Sequence, residues 1–269
     1  MVLADHPLSP SGVGIQTKHF IEALLKTGRY KFICFGGAIK HQNTQPVKVE
    51  PWRDDWIVHP IEGYGNPDLI RQALYVEKPD AVWIMTDPRF WGWLWEIEEE
   101  VRVHCPLIYY HVWDNYPYPH YNKKFYESND AIATISKVTD DIEKTVAPNV
   151  KSRYIPHAVD PNVFTFMEAE KIQQFRNDNF SDEEDKFIVF WNNRNARRKQ
   201  SGSLIFWFKK FLDKVGHDKA MLLMHTDTKD VHGQDLDAII ASLGMVDGQV
   251  KFSRQKIPPQ ALASLYNSA

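Results

Sequence analysis

The chain has 269 residues, a formal net charge of −3, and a composition that is 43% hydrophobic and 13% aromatic. That length suits one large or two ordinary domains, and the apolar content is ample for a buried core. Near-balanced charge offers no general attraction to a polyanion, which argues against bulk nucleic-acid binding. The apolar runs are too short to cross a bilayer, and the sequence shows neither a signal-peptide pattern nor a solenoid repeat. The two cysteines, Cys34 and Cys105, sit in or beside strand-like apolar runs with no metal-ligand spacing. They read as reduced core residues of a cytoplasmic protein.

Met1 to Asp5 predicts a short strand, followed by the turn Ser9-Pro10-Ser11-Gly12-Val13-Gly14 and a helix over Ile15 to Thr27. Gly12 and Gly14 would let backbone amides approach a ligand, with the positive end of the helix dipole behind them. The plain alternative is a tight turn, and Thr17 stands where a dinucleotide fingerprint needs its third glycine. Phe32 to Phe35 predicts a second strand, and Lys40 to Pro60 a Pro-rich loop with an edge strand or two. Asn66-Pro67 should cap a helix through Val76. After a strand at Ala81 to Met85, Asp87-Pro88 should open a helix with Phe90, Leu94, Ile97 and Val101 as its core stripe. Trp91, Trp93 and Trp95 cannot all share that stripe, so at least one should be exposed or at an interface.

Leu107 to Tyr110 predicts a strand ending at His111, followed by an aromatic, Pro-rich loop from Trp113 to Tyr121. Such a loop suits stacking against a sugar or aglycone, or simply packing on its own rings. A strand at Ala131 to Ile135 and a helix over Lys137 to Val146, capped by Ser136, follow. Arg153 to Ile155 is a last short strand before the stiff turn Pro156 to Pro161. Asp178 to Lys186 is a charged loop that lacks the turn glycine of a calcium-binding loop.

Phe187 to Trp191 is an unbroken apolar run, the pattern of a strand buried on both faces. The loop Asn192-Asn193-Arg194-Asn195-Ala196-Arg197-Arg198-Lys199 follows, then a helix with Leu204, Ile205, Phe208, Phe211, Leu212 and Val215 at helical spacing. Ligands of open α/β sheets bind beyond the carboxyl ends of the strands, and four cations before a helix suit a diphosphate. A solvated basic turn is the bland reading. Strands at Met221 to Met224 and Val250 to Phe252 alternate with helices over Gln234 to Leu243 and Pro259 to Asn267. Asp235 and Asp237, the chain's D-x-D, fall inside a predicted helix and read as solvated charges, so no metal site is expected. The alternation predicts α/β with parallel sheets, in two domains over residues 1–156 and 157–269.

Four stretches together resemble glycosyltransferase family 4, retaining enzymes with the two-Rossmann-domain GT-B fold. They are Ser11-Gly12-Val13-Gly14, the strand ending in His111, the turn Tyr154 to Asp160, and Asn193-Arg194 followed by Arg198-Lys199. Ala158, Asn193 and Gln200 replace glycines usual in that family. The resemblance implies that Arg194 and Lys199 bind the donor diphosphate and stabilise it as it leaves. Gly12 and Gly14 would present amides to the same phosphates, and His111 would lie beside the transferred sugar. The loop Ser253 to Ile257 would approach the base. It also implies a nucleotide-sugar donor as co-substrate with no other cofactor, and a carbohydrate or lipid-linked acceptor, the latter consistent with peripheral membrane contact.

The family's pair of Glu residues eight positions apart is absent, and the chain ends before the strand that leads to it. The second domain is therefore expected to be incomplete, with one bare edge at Phe187 to Trp191, uncovered helix faces, and little activity by itself. That edge would favour a homo-oligomer, or leave this domain partly disordered. A non-catalytic nucleotide- or sugar-binding module, and another GT-B enzyme such as a nucleotide-sugar epimerase, are the alternatives.

Overall fold

The structure, a computed structural model, describes residues 1–37, 45–180 and 183–269. Residues 40–44 of the expected Pro-rich loop and 181–182 of the charged loop lie outside the described residues. The chain divides into two compact units, Met1–Ala158 and Val159–Ala269, with the division inside the Pro156 to Pro161 turn.

The first unit opens with β1 (Val2–Asp5), α1 (Gly12–Leu25), β2 (Phe32–Gly37), β3 (Val47–Lys48), β4 (Trp56–Pro60), α2 (Pro67–Glu77) and β5 (Val82–Met85). It continues with α3 (Gly92–Trp95), α4 (Glu98–Arg102), β6 (Leu107–His111), α5 (Lys123–Glu127), β7 (Ala131–Thr134), α6 (Lys137–Val146) and β8 (Ser152–Tyr154). Its strands form one sheet in the order β3-β4-β2-β1-β5-β6-β7-β8, parallel except where β3 meets β4. Alternate residues of β1 serve opposite faces: Leu3 packs with Ile84, Trp91 and Tyr109, whereas Val2 and Ala4 pack with Ile21, Cys34 and Trp56. A strand buried on both sides needs that double apolar pattern. The chain runs outward through β2 and β4 and then returns to β5 on the other side of β1. That reversal opens a crevice beyond the carboxyl ends of β1 and β5, where α/β sheets bind ligands.

The second unit comprises α7 (Ala169–Asn179), β9 (Phe187–Asn192), α8 (Ser201–Val215), β10 (Ala220–His225), α9 (Leu236–Ser242), β11 (Val250–Ser253) and α10 (Pro259–Asn267). Its sheet is parallel, in the order β11-β10-β9. Ile205, Phe208 and Leu212 of α8 and Leu236 of α9 cover one face; Phe175 of α7 and Leu265 of α10 help cover the other. Both faces of this sheet therefore carry helices, while α8 leaves Phe206, Trp207 and Phe211 exposed on its outer side. The edge is another matter. Among the described residues β9 pairs only with β10, and Phe187 is 65% exposed, so the apolar run is an edge strand and not one enclosed on both sides.

Two further expectations are corrected. The helix expected after Asp87 is broken into a 3₁₀ turn, α3 and α4, and the breaks let Trp91 and Trp95 turn inward while Trp93 stays half-buried. None of the three tryptophans is exposed, and Phe90 lies at the surface instead. On α8 the buried stripe is narrower than its spacing predicts, because Phe211 and Val215 are exposed. Helix α7 has no buried residue, which explains why its apolar pattern gives no signal. Among the described residues no helix is long and apolar enough to cross a membrane.

Candidate functional site

The turn after β1 is built around an acid. The Ser11 hydroxyl donates to Asp5 Oδ2 at 2.7 Å and accepts from the Gly14 amide at 2.9 Å, while Tyr64 Oη donates to Asp5 Oδ1 at 2.9 Å. Helix α1 thus begins at Gly12, three residues earlier than predicted, with Ser11 as its N-cap. Gly14 has a local reason to be glycine: a Cβ there would stand 2.5 Å from Ser9 Oγ and 2.6 Å from the His6 carbonyl. Its amide is spent on Ser11 and its Cα is walled by the preceding loop, so its place is in seating the helix. Gly12 differs, being exposed with open space around a Cβ. Beyond β5, Thr86 adopts φ +110°, a strained conformation for a β-branched residue, and its carbonyl accepts from Tyr109 Oη at 2.7 Å.

His111 lies at the carboxyl end of β6, fully buried, with its ring 4.5 Å from that of Tyr126 and 5.2 Å from that of Tyr109. Neither ring nitrogen has a hydrogen-bond partner among the described residues. Burial pushes the imidazole down to about 3, so it is neutral at physiological pH, with one donor and one acceptor unspent. Thr139 of α6 donates to the Trp113 carbonyl at 2.9 Å and so pins the start of the aromatic loop, in which Tyr116 and Tyr118 stack at 4.9 Å.

In the second unit the loop after β9 is cationic. Arg194 is exposed and Lys199 half-buried, the latter in a 3₁₀ turn, Arg197–Lys199, that leads into α8. Arg194 donates through Nε to Asp230 Oδ2 at 2.6 Å and through Nη2 to Asp230 Oδ1 at 3.0 Å. That guanidinium, helped by the His232 amide, pulls the Asp230 carboxyl down to about 2. Lys199, Arg197 and Arg198 form no ion pair among the described residues. Asn195, fully buried, ties this loop to the one after β10: its Nδ2 donates to the Gln234 carbonyl at 2.7 Å and its Oδ1 accepts from Ser201 Oγ at 2.7 Å. Gln234 Oε1 accepts from the Gly202 amide at 2.9 Å, and a Cβ on Gly233 would stand 2.1 Å from the Asn195 carbonyl. The helix amides expected for the phosphates are therefore partly taken by Gln234.

Asp235 caps α9, and Asp237 accepts from Arg254 at 2.9 Å and from Thr228 at 3.1 Å, so both acids of the D-x-D have structural partners. At the end of β11, Ser253 Oγ lies 2.8 Å from His225 Nδ1. An apolar cavity of about 570 Å³ lies between residues 159–167 and α10, lined by Phe164, Phe166, Leu262 and Tyr266 among others, and none of the predicted site residues borders it. The structure thus groups Gly12, Gly14 and His111 in the first unit and Arg194 and Lys199 in the second. Asp5, Tyr64, Asp230 and Gln234 escape the sequence analysis. Asp5 has a local signal, an acid ending a strand before a glycine turn. The other three reach their partners only through the fold.

No family model matches the chain, and no curated protein does. Solved structures do. The chain is similar to an E. coli structure for trehalose-6-phosphate bound with UDP-2-fluoro glucose, at 12% identity and a TM-score of 0.67, covering all of this chain and 76% of that one. It is similar to a glycosyltransferase from Rickettsia africae ESF-5 at 15% identity and a TM-score of 0.66, covering 97% and 69%. It is also similar to an alpha,alpha-trehalose-phosphate synthase (UDP-forming) from Burkholderia xenovorans in complex with glucose-6-phosphate, at 11% identity and a TM-score of 0.65, covering 100% and 77%. At such identities the likeness shows the fold, which is α/β of the GT-B type with a three-stranded second unit.

Proposed function

We propose that this chain is a nucleotide-sugar-dependent glycosyltransferase, or the larger part of one. Arg194 and Lys199 hold the donor diphosphate, and the sugar passes to an acceptor hydroxyl with retention of configuration. One observation carries this reading. At the carboxyl end of β9 and the head of α8, Lys199 has no acid partner among the described residues, and Arg194 keeps one guanidinium edge out of its ion pair. Cations placed there stabilise the charge that develops on a leaving diphosphate, and electrostatic stabilisation of that kind often dominates the catalysis of such a step. The neighbours bound with UDP-2-fluoro glucose or described as UDP-forming support UDP as the first nucleotide to try.

Retention places the incoming hydroxyl on the face that the diphosphate leaves, with a phosphate oxygen taking the acceptor proton. No divalent cation is required in this reading, because two side-chain cations meet the leaving charge. UDP binding is then expected to survive EDTA. Of the first-unit residues, Gly12 retains space to meet a ligand. His111 has the unspent donor and acceptor to contact a sugar hydroxyl, but only after an opening that exposes it. That burial favours a second reading, a module that binds nucleotide without turning it over.

Calorimetry with UDP, GDP and ADP tests the site. Each lost charge-assisted hydrogen bond is worth about 1.5–3 kcal/mol, so Arg194→Ala and Lys199→Ala should each weaken binding by roughly ten- to a hundredfold. Normal binding by both variants would sink the proposal. UDP release from UDP-glucose on adding an acceptor separates enzyme from module.

A further inference from the structure

We propose that Asp230 is the positioning residue of the diphosphate site, holding the Arg194 guanidinium so that its outer edge faces an incoming ligand. The inference rests on the reading that Arg194 binds the diphosphate. Asp230 engages Arg194 side-on, through Nε and Nη2 at 2.6 and 3.0 Å. Side-on pairing uses one edge of the guanidinium fork and leaves the Nη1 and Nη2 edge open for a second bidentate acceptor. The Arg194 side chain is 62% exposed and Asp230 only 14%, so the carboxylate is the anchored member and the arginine the presented one.

Asp230 is itself fixed. Its Oδ1 accepts from the His232 amide at 2.9 Å, and its carbonyl accepts from the Gly233 amide at 2.8 Å. The same loop is then fastened to the cationic loop and to the head of α8 by further hydrogen bonds. The Arg197 amide donates to the His232 carbonyl at 3.1 Å, Asn195 Nδ2 donates to the Gln234 carbonyl, and Gln234 Oε1 takes the Gly202 amide. Glycine at 233 lets the two backbones approach that closely, since a Cβ would stand 2.1 Å from the Asn195 carbonyl. The loop after β10 is thus a rigid backing for the loop after β9, and its one carboxylate aimed at Arg194 sets where that cation stands. An exposed arginine without this partner would have to be ordered by the ligand, at a cost in affinity.

The rival physical expectation has the opposite sign. Removing a carboxylate beside an anion site would tighten anion binding by Coulomb attraction alone. The test is calorimetric titration of UDP and of inorganic pyrophosphate into wild type, Arg194→Ala, Asp230→Asn and Asp230→Glu. It is accompanied by the Arg194 Nε–Hε signal in a nitrogen-15 spectrum, assigned by its loss in Arg194→Lys. Positioning predicts that Asp230→Asn weakens both ligands by roughly three- to tenfold despite the more positive site, the scale of re-ordering one long side chain. Asp230→Glu should recover part of that loss. The Nε–Hε signal should be slow to exchange in wild type and in Asp230→Glu and fast in Asp230→Asn. Tighter or unchanged binding by Asp230→Asn, with Arg194→Ala still defective, overturns the positioning role and leaves the diphosphate site standing. Equal binding by Arg194→Ala and wild type, or no binding by wild type, overturns the diphosphate site and the positioning role with it.

Discussion

The two strand–loop–helix crossings, from β1 to α1 and from β9 to α8, share a plan and differ in what closes them. In the first, a buried carboxylate sits at the helix head: Asp5 holds Ser11, and Ser11 holds the Gly14 amide. In the second, the only carboxylate that engages the cationic loop's side chains among the described residues, Asp230, takes one edge of Arg194 and leaves Lys199 unpaired. A helix N-terminus is a ready anion site in general. The comparison shows that this holds only where the protein has not already filled it with its own oxygen atoms. By that standard the first crossing is closed to an anion except at Gly12, while the second has its Gly202 amide taken by Gln234 Oε1 and keeps unpaired cations in its loop.

Two acids repeat the contrast. Glu143 on α6 is fully buried beside Ser152, and burial outweighs that neighbour and raises its carboxyl to about 7. Asp230, paired, is lowered to about 2. Their signs are opposite. Below about pH 4.5 Glu143 is protonated folded or unfolded and costs nothing. As pH rises from there through about 7, only the unfolded chain ionises freely, so stability falls. Asp230 contributes above its ordinary value near 3.8, and that contribution is lost as pH falls towards 2. The largest expected effect is therefore Glu143→Gln. It should raise stability at pH 8 by on the order of 3 kcal/mol and leave stability at pH 4 unchanged, read from denaturant curves at both pH values. No gain at pH 8 would mean that the carboxylate finds a partner in the folded chain, and an equal gain at both would mean that ionisation is not its cause.

Next in size is Gly14→Ala, which drives a Cβ against the Ser9 hydroxyl and the His6 carbonyl. Overpacking of that kind costs about 1–3 kcal/mol, seen as a lowered melting temperature. Ser11→Ala removes the N-cap and should cost about 1 kcal/mol in the same assay. Smallest is Gly12→Ala, whose Cβ meets nothing within 4 Å, and it should leave stability within about 0.5 kcal/mol of wild type. A destabilisation by Gly12→Ala as large as that by Gly14→Ala would erase the distinction between the closed and open glycine.

Most strands and several helix starts are legible in the sequence, because apolar runs and caps act locally. Asn66-Pro67 and Ser136 cap α2 and α6 as their residue types dictate. The helix after Asp87 is not legible: its periodic residues can form one stripe, and only tertiary packing chooses to break it so that Trp91 and Trp95 turn inward. In the candidate site the cations are readable, since four of them crowd into one loop. Their partners are not. Asp230 and Gln234 lie 36 and 32 residues from Arg194 and Gly202, and no local rule joins them. Nor does sequence reveal that His111 ends its strand enclosed by Tyr109 and Tyr126.

The most direct test of this account is a calorimetric titration of UDP into wild type, Lys199→Ala and Ser11→Ala. With phosphate affinity residing in the loop after β9, Lys199→Ala should lose roughly ten- to a hundredfold in affinity, and Ser11→Ala should bind within about twofold of wild type. Loss of binding in Ser11→Ala with Lys199→Ala unaffected would place the phosphates at the head of α1 and contradict it.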